Sequence, residues 1–131
     1  MKRIYPTLAL LALAPWAGAG CDNRYEALST PPPGLTASLN DEDKSMRIST
    51  GVALVFECFH WNGDPCGRDA SSNNSAIARI LPAALDTLTG DYYREGPQTR
   101  SAFVVVGVAE GETDVHAGGD SMSVKVLKVG Q

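Results

Sequence analysis

The chain has 131 residues, a hydrophobic content of 44% and a formal net charge of −4. That length fits one domain of ordinary size. The acidic balance excludes a nucleic-acid surface, which needs clustered Lys and Arg, and disfavours electrostatic docking onto anionic lipid.

The N-terminus begins with two basic residues, Lys2 and Arg3. An apolar run of about ten residues follows, Thr7 to Trp16, and then the small residues Ala17-Gly18-Ala19-Gly20. This is the three-part layout of a secretory signal. The run is shorter than the roughly 20 apolar residues of a membrane-spanning helix. Small residues running into Cys21 resemble a bacterial lipobox, in which diacylglycerol is attached to the cysteine thiol and the chain is cut just before it. Gly18 departs from the pattern, since Leu is usual there. Ala17-Gly18-Ala19 also fits ordinary cleavage after Ala19, so both sites stay open. The lipobox reading is preferred because three cysteines leave one over in an exported protein. With lipid on Cys21, Cys58 and Cys66 remain as a pair. An oxidising envelope turns such a pair into a disulfide.

Removal of residues 1–20 leaves 111 residues with a charge of 9 − 15 = −6, because Lys2 and Arg3 go and all fifteen acids stay. Asp22 to Gly34 is polar and carries three consecutive prolines. Thirteen such residues, extended and semi-rigid, span roughly 40 Å, so residues 21–34 are expected to act as a lipid-anchored Pro-rich linker. Asp41-Glu42-Asp43 is the longest like-charge block and reads as a solvated turn.

Strand signals dominate residues 35–131. Leu35–Leu39 is a weak candidate, Val52–Cys58 a strong one and Ala76–Leu81 a short one. Pro82 to Leu88 has the start and stop signals of one short helix, with Pro82 near its first position and Gly90 beyond its end. Ala102–Val106 is a continuous apolar run suited to a sandwich core. Thr113–Ala117 alternates, with Val115 pointing inward and His116 solvated. Ser121–Val129 puts Met122, Val124 and Val126 on one face, then Leu127 and Val129 on the other. That slip predicts a β-bulge near Val126. Glycine-rich turns separate these segments. Many short strands with such turns indicate an all-β sandwich.

Phe103 to Val129 resembles the C-terminal half of group 2 bacterial immunoglobulin-like domains. The match lies in Gly107-Val108-Ala109-Glu110-Gly111-Glu112-Thr113-Asp114-Val115 and the valine strand after it. Ser72 to Ala78 resembles the family's Ser-Asn-Pro-x-Val-Ala turn, with Ser75 in place of Pro. Two stretches depart from the family: the long Leu81–Arg100 connection and the Cys58/Cys66 loop. The resemblance implies an immunoglobulin-like sandwich of about seven strands, used as a spacer or binding unit without catalysis.

The loop CFHWNGDPC, Cys58 to Cys66, fits a stapled hairpin. An odd number of intervening residues, centred on Asn62, leaves the three-residue loop Trp61-Asn62-Gly63, with Gly63 where positive φ is needed. His60 then faces Asp64, and Phe59 faces Pro65. A metal or thiol-redox module at Cys58, His60, Asp64 and Cys66 is the alternative. It lacks the Cys-x-x-Cys spacing at a helix start and the usual zinc spacing. No nucleophile motif or phosphate-binding loop occurs.

The resulting expectation is a signal peptide over 1–20, a linker over 21–34 and an immunoglobulin-like domain over 35–131 that includes one short helix in a long insert. The chain is expected to be a non-catalytic, lipid-anchored (palmitate-class) envelope protein with no cofactor and no metal. It would face the periplasm or exterior, with a protein or envelope polymer as partner. Phe59, Trp61, Tyr92 and Tyr93 form the candidate interaction surface, by the hot-spot preference for aromatic residues. A soluble periplasmic binder cleaved after Ala19 remains the other reading.

Overall fold

The structure is a computed structural model that describes residues 23–86 and 99–130. The signal region, Cys21, Tyr92 and Tyr93 lie outside the described residues. Among the described residues, nine strands form two sheets: β1 (Arg24–Ala27), β2 (Ala37–Asn40), β3 (Ser45–Ser49), β4 (Ala53–Phe59), β5 (Ala70–Ser72), β6 (Ala78–Asp86), β7 (Thr99–Gly107), β8 (Gly111–Ala117) and β9 (Asp120–Leu127). One sheet has the order β1-β4-β7-β6 and the other β2-β3-β9-β8-β5.

This is a β-sandwich with immunoglobulin strand order. In that arrangement an ABED sheet faces a CFG sheet. Here β1, β4, β7 and β6 take the A, B, E and D places, while β5, β8 and β9 take C, F and G. The β2–β3 hairpin is added, and β3 runs parallel to β9 along its free edge.

Alternation fills the core from both sheets. Leu54 and Phe56 of β4 and Phe103 and Val105 of β7 face Met46, Ile48, Val115, Met122, Val124 and Val126 of the other sheet, all with 0–1% exposure. Phe56 and Phe103 are cross-strand partners and stack at 5.5 Å. Such aromatic pairs contribute beyond their buried area. β7 lies between β4 and β6, with Phe103 and Val105 buried in the core and Val104 and Val106 half-buried on the outer face.

At four points the structure departs from the sequence reading, the third being a strand that reading did not include. First, Pro82 to Leu88 is not a helix over its described part. Residues 82–86 continue β6, which pairs with β7 from Ala78↔Gly107 to Asp86↔Thr99. The apolar run of β7 offers nine partner positions, and Pro82 is tolerated because β6 is an edge strand. Second, the bulge near Val126 is absent. Pairing with β3 is one-to-one through Leu127, and Leu127 simply turns to the other face, outside the main core cluster. Third, residues 45–49 form β3, whose Met46 and Ile48 face inward.

The fourth correction moves the start of the domain. The expected linker over 21–34 is not a free tether. Residues 24–27 form β1, antiparallel to β4, and Tyr25 is 5% exposed. The chain stays on β4 beyond β1, since Leu28 N donates to Val55 O and Val55 N donates to Ser29 Oγ. The three prolines then form a turn toward β2, closed by Leu35 N donating to Pro32 O.

Candidate functional site

The expected hairpin is present at one end of the sandwich. Cys58, on β4, and Cys66 are joined by a disulfide with a Cα–Cα distance of 5.5 Å. His60 N donates to Asp64 O at 2.7 Å, and Phe59 bridges Pro65. Gly63 has φ 86°, the left-handed value that the third loop position requires. Asn62 braces the tip through both of its amide atoms, which bond the backbone and carboxylate of Asp64.

The two sulfurs sit in the core, with Cys58 2% and Cys66 4% exposed. Thiol exchange needs access to a sulfur, so burial favours a staple over a redox centre. A disulfide also leaves no thiolate to ligate a metal. Among the described residues, no group of three or more His, Cys, Asp or Glu could hold an ion. The four residues of the metal alternative are therefore brought near one another, but not as a ligand set. Of the candidate surface, Phe59 is half-buried and Trp61 is 72% exposed at the tip. His116 is half-buried on the outer face of β8, with Nε2 3.2 Å from Asn73 Oδ1.

The residues that hold this end together were not singled out in the sequence. Asn23 is buried and donates from Nδ2 to Gly118 O. Tyr25 OH bonds Ala117 O at 2.9 Å and Asp120 Oδ2 at 3.0 Å. The turn between β2 and β3 reaches over from the other sheet. Asp41 accepts from Tyr25 N, and Lys44 Nζ pairs with Asp41 at 2.6 Å and donates to Asn23 O at 2.7 Å. Lys44 Nζ also lies 4.8 Å from the centre of the Tyr25 ring. Asp41, expected in a solvated acidic turn, is thus a clamp on β1.

Gly118 and Gly119 make the two-residue turn between β8 and β9, with φ 61° and 96°. Positive φ at both central residues is what a type I′ hairpin needs. Gly118 also packs on the staple: a Cβ there would lie 2.9 Å from Cys66 Cβ and 3.0 Å from Cys58 Sγ. The Gly-Gly-Asp string was legible as a turn. Its contact with a disulfide about fifty residues upstream was not.

Burial holds the Tyr25 phenol neutral well above its ordinary value of 10.0, and the carboxylates of Asp120 and Asp41 add to this against an opposing hydrogen bond from Asn23. The unfolded chain therefore loses this proton first as pH rises. The contribution to stability is complete below about pH 10 and falls as pH climbs from there toward the folded-state value. Urea midpoints measured from about pH 8 to pH 11 will fall in the upper part of that range. Tyr25→Phe will flatten that fall.

No known protein family matches the chain, and no curated protein matches it. Solved structures of the S-layer protein SbsC are similar in fold. Its domains 4 and 5 share 17% identity at a TM-score of 0.37, covering 86% of this chain and 79% of that one. Its domains 1–6 share 16% identity at a TM-score of 0.43, and its domains 4–9 share 16% at 0.38. The match covers only 21% and 22% of those two longer structures. Likeness at this level says nothing of function.

Proposed function

We propose that the chain is a lipid-anchored cell-envelope module. Its sandwich acts as a non-catalytic binding or structural unit of the bacterial immunoglobulin-like kind, facing the periplasm or exterior. One observation carries the reading. Of three cysteines, two are sealed in a buried disulfide. The remaining one, Cys21, directly follows a signal-type segment that ends in small residues. A disulfide fits an oxidising compartment, and lipid on Cys21 accounts for the odd thiol. The immunoglobulin strand order supports the module reading but assigns no partner. A protein or envelope polymer remains the proposed partner class.

Intact mass tests this on protein purified from membranes, with and without reductant and alkylation. The expected mass is that of residues 21–131 plus lipid, with two further alkylation sites appearing only after reduction. A lipid-free chain starting at Gly20, with Cys21 alkylatable before reduction, would replace this reading with the soluble periplasmic binder.

A further inference from the structure

We propose that the Cys58–Cys66 hairpin is a membrane-contacting tip, with the Trp61 indole seated at the headgroup level of the bilayer that holds the Cys21 lipid. The proposal rests on the lipid anchor and deepens it, because it fixes which end of the sandwich meets the membrane and how closely.

Strand register carries the argument. Arg24 pairs with Phe59 and Tyr25 with Cys58. The ladder ends at that Arg24–Phe59 pair, so Asn23, one residue before it, lies next to the base of the loop that carries Trp61. Asn23 is itself pinned, buried between Gly118 O and Lys44 Nζ. The chain therefore joins the fold beside the base of the hairpin, at the end of the sandwich from which the tip projects.

Distance then decides the placement. Asn23 is two residues from Cys21, a reach of about 7 Å when fully extended. A bilayer of roughly 40–45 Å around a hydrocarbon core of about 30 Å leaves about 5–7 Å of polar layer per leaflet. An acylated Cys21 sits at the inner boundary of that layer. Two residues just cross it, so the hairpin tip, projecting from the same end as Asn23, lies within it or at its surface. A tether of the length first expected would have left this end far from lipid.

The chemistry of the tip fits that location. Trp61 is the most exposed of the large hydrophobic residues described, at 72%. Half-buried Phe59 and exposed Pro65 form its base. Trp is enriched at membrane–water interfaces, where an apolar ring with one N–H donor satisfies both sides. Asp64 on the same loop and the net negative charge of the mature chain point to zwitterionic lipid rather than an anionic surface.

Trp61 is also the single tryptophan after residue 20, so its fluorescence can be read without substitution. The lipidated full-length mature protein is placed in phosphatidylcholine vesicles, its mass is checked for lipid, and binding is confirmed by flotation. The expected result is emission at shorter wavelength than in a lipid-free chain of residues 22–131. Intensity should also be lost when the vesicles carry bromine on acyl carbons near the ester. Trp61→Phe should abolish the signal. Vesicle-bound, lipidated protein whose Trp61 keeps a water-like spectrum and escapes bromine quenching would overturn the docking proposal and leave the anchor standing. A lipid-free mass would overturn the anchor reading, and this proposal with it.

Discussion

Replacing Tyr25 with Ala will lower the stability of the domain by about 3–5 kcal/mol, the usual cost of removing a core aromatic side chain. The ring meets Phe56 edge-on at 6.0 Å and is almost fully buried. It also supplies a hydroxyl that ties β1 to both strands of the β8–β9 hairpin. Removing it leaves a cavity at the disulfide end and takes away the hydroxyl that bonds Ala117 O. Tyr25→Phe keeps the packing and loses only the hydroxyl, so it will cost less, about 0.5–1.5 kcal/mol, the usual net contribution of one hydrogen bond. Urea denaturation of the three proteins checks the order, with the midpoint shifting while the slope stays constant. Were residues 21–34 a free linker, both substitutions would fall within about 0.5 kcal/mol of wild type, as exposed sites do. That result would remove β1 from the fold and return the domain to a long tether. It would also remove the short-reach argument for the hairpin tip.

The reason β1 was missed lies in where its stability comes from. Its sequence, RYEA, offers one inward apolar residue in four positions and is soon followed by three prolines. Composition over that window reads as a tether. What orders it is non-local: β4 some thirty residues on, the Asp41–Lys44 turn and the carbonyls of the β8–β9 turn. The same contrast holds elsewhere. β8 and β9 were legible because strict alternation continues across a tight glycine turn. The Cys58–Cys66 hairpin was legible because its spacing and Gly63 specify one register without help from distant residues. β6 was read as a helix past Pro82 because local start and stop signals were present, but nine pairs with β7 outweigh them. β3 carried a short alternation, Met46 and Ile48, yet its parallel seat on β9 belongs to residues about eighty positions away. At the site, the staple could be read from the sequence. The turn that packs on it could not, because nothing local to Gly118-Gly119 points to Cys58.

Gly118→Ala will cost about 2–5 kcal/mol, from two sources that can be separated. A left-handed backbone costs a residue with a Cβ roughly 1–2 kcal/mol, and forcing extra volume into a packed site costs about 1–3 kcal/mol. Gly119→Ala isolates the first term, since its φ is 96° and a Cβ there meets nothing within 4 Å. The second term arises because the new methyl would press on Cys66 Cβ and Cys58 Sγ, atoms fixed by a covalent link rather than the yielding end of a long side chain. The link itself contributes about 2.5 kcal/mol in the chain-entropy picture for so short a loop. Opening it with Cys58→Ala and Cys66→Ala together will therefore lower stability by about that amount. Residue 66 keeps its Cβ in that variant, but its loop is no longer fastened to β4 and can move away from position 118. Adding Gly118→Ala to the opened chain should then cost little more than Gly119→Ala does. The four proteins form a double-mutant cycle with an expected coupling of about 1–3 kcal/mol, the size of the packing term, in the direction that makes the combined loss smaller than the sum. Denaturant unfolding of each measures it. Additivity within about 0.5 kcal/mol would mean that the staple yields freely, and that the β8–β9 turn and the Cys58–Cys66 hairpin do not brace one another.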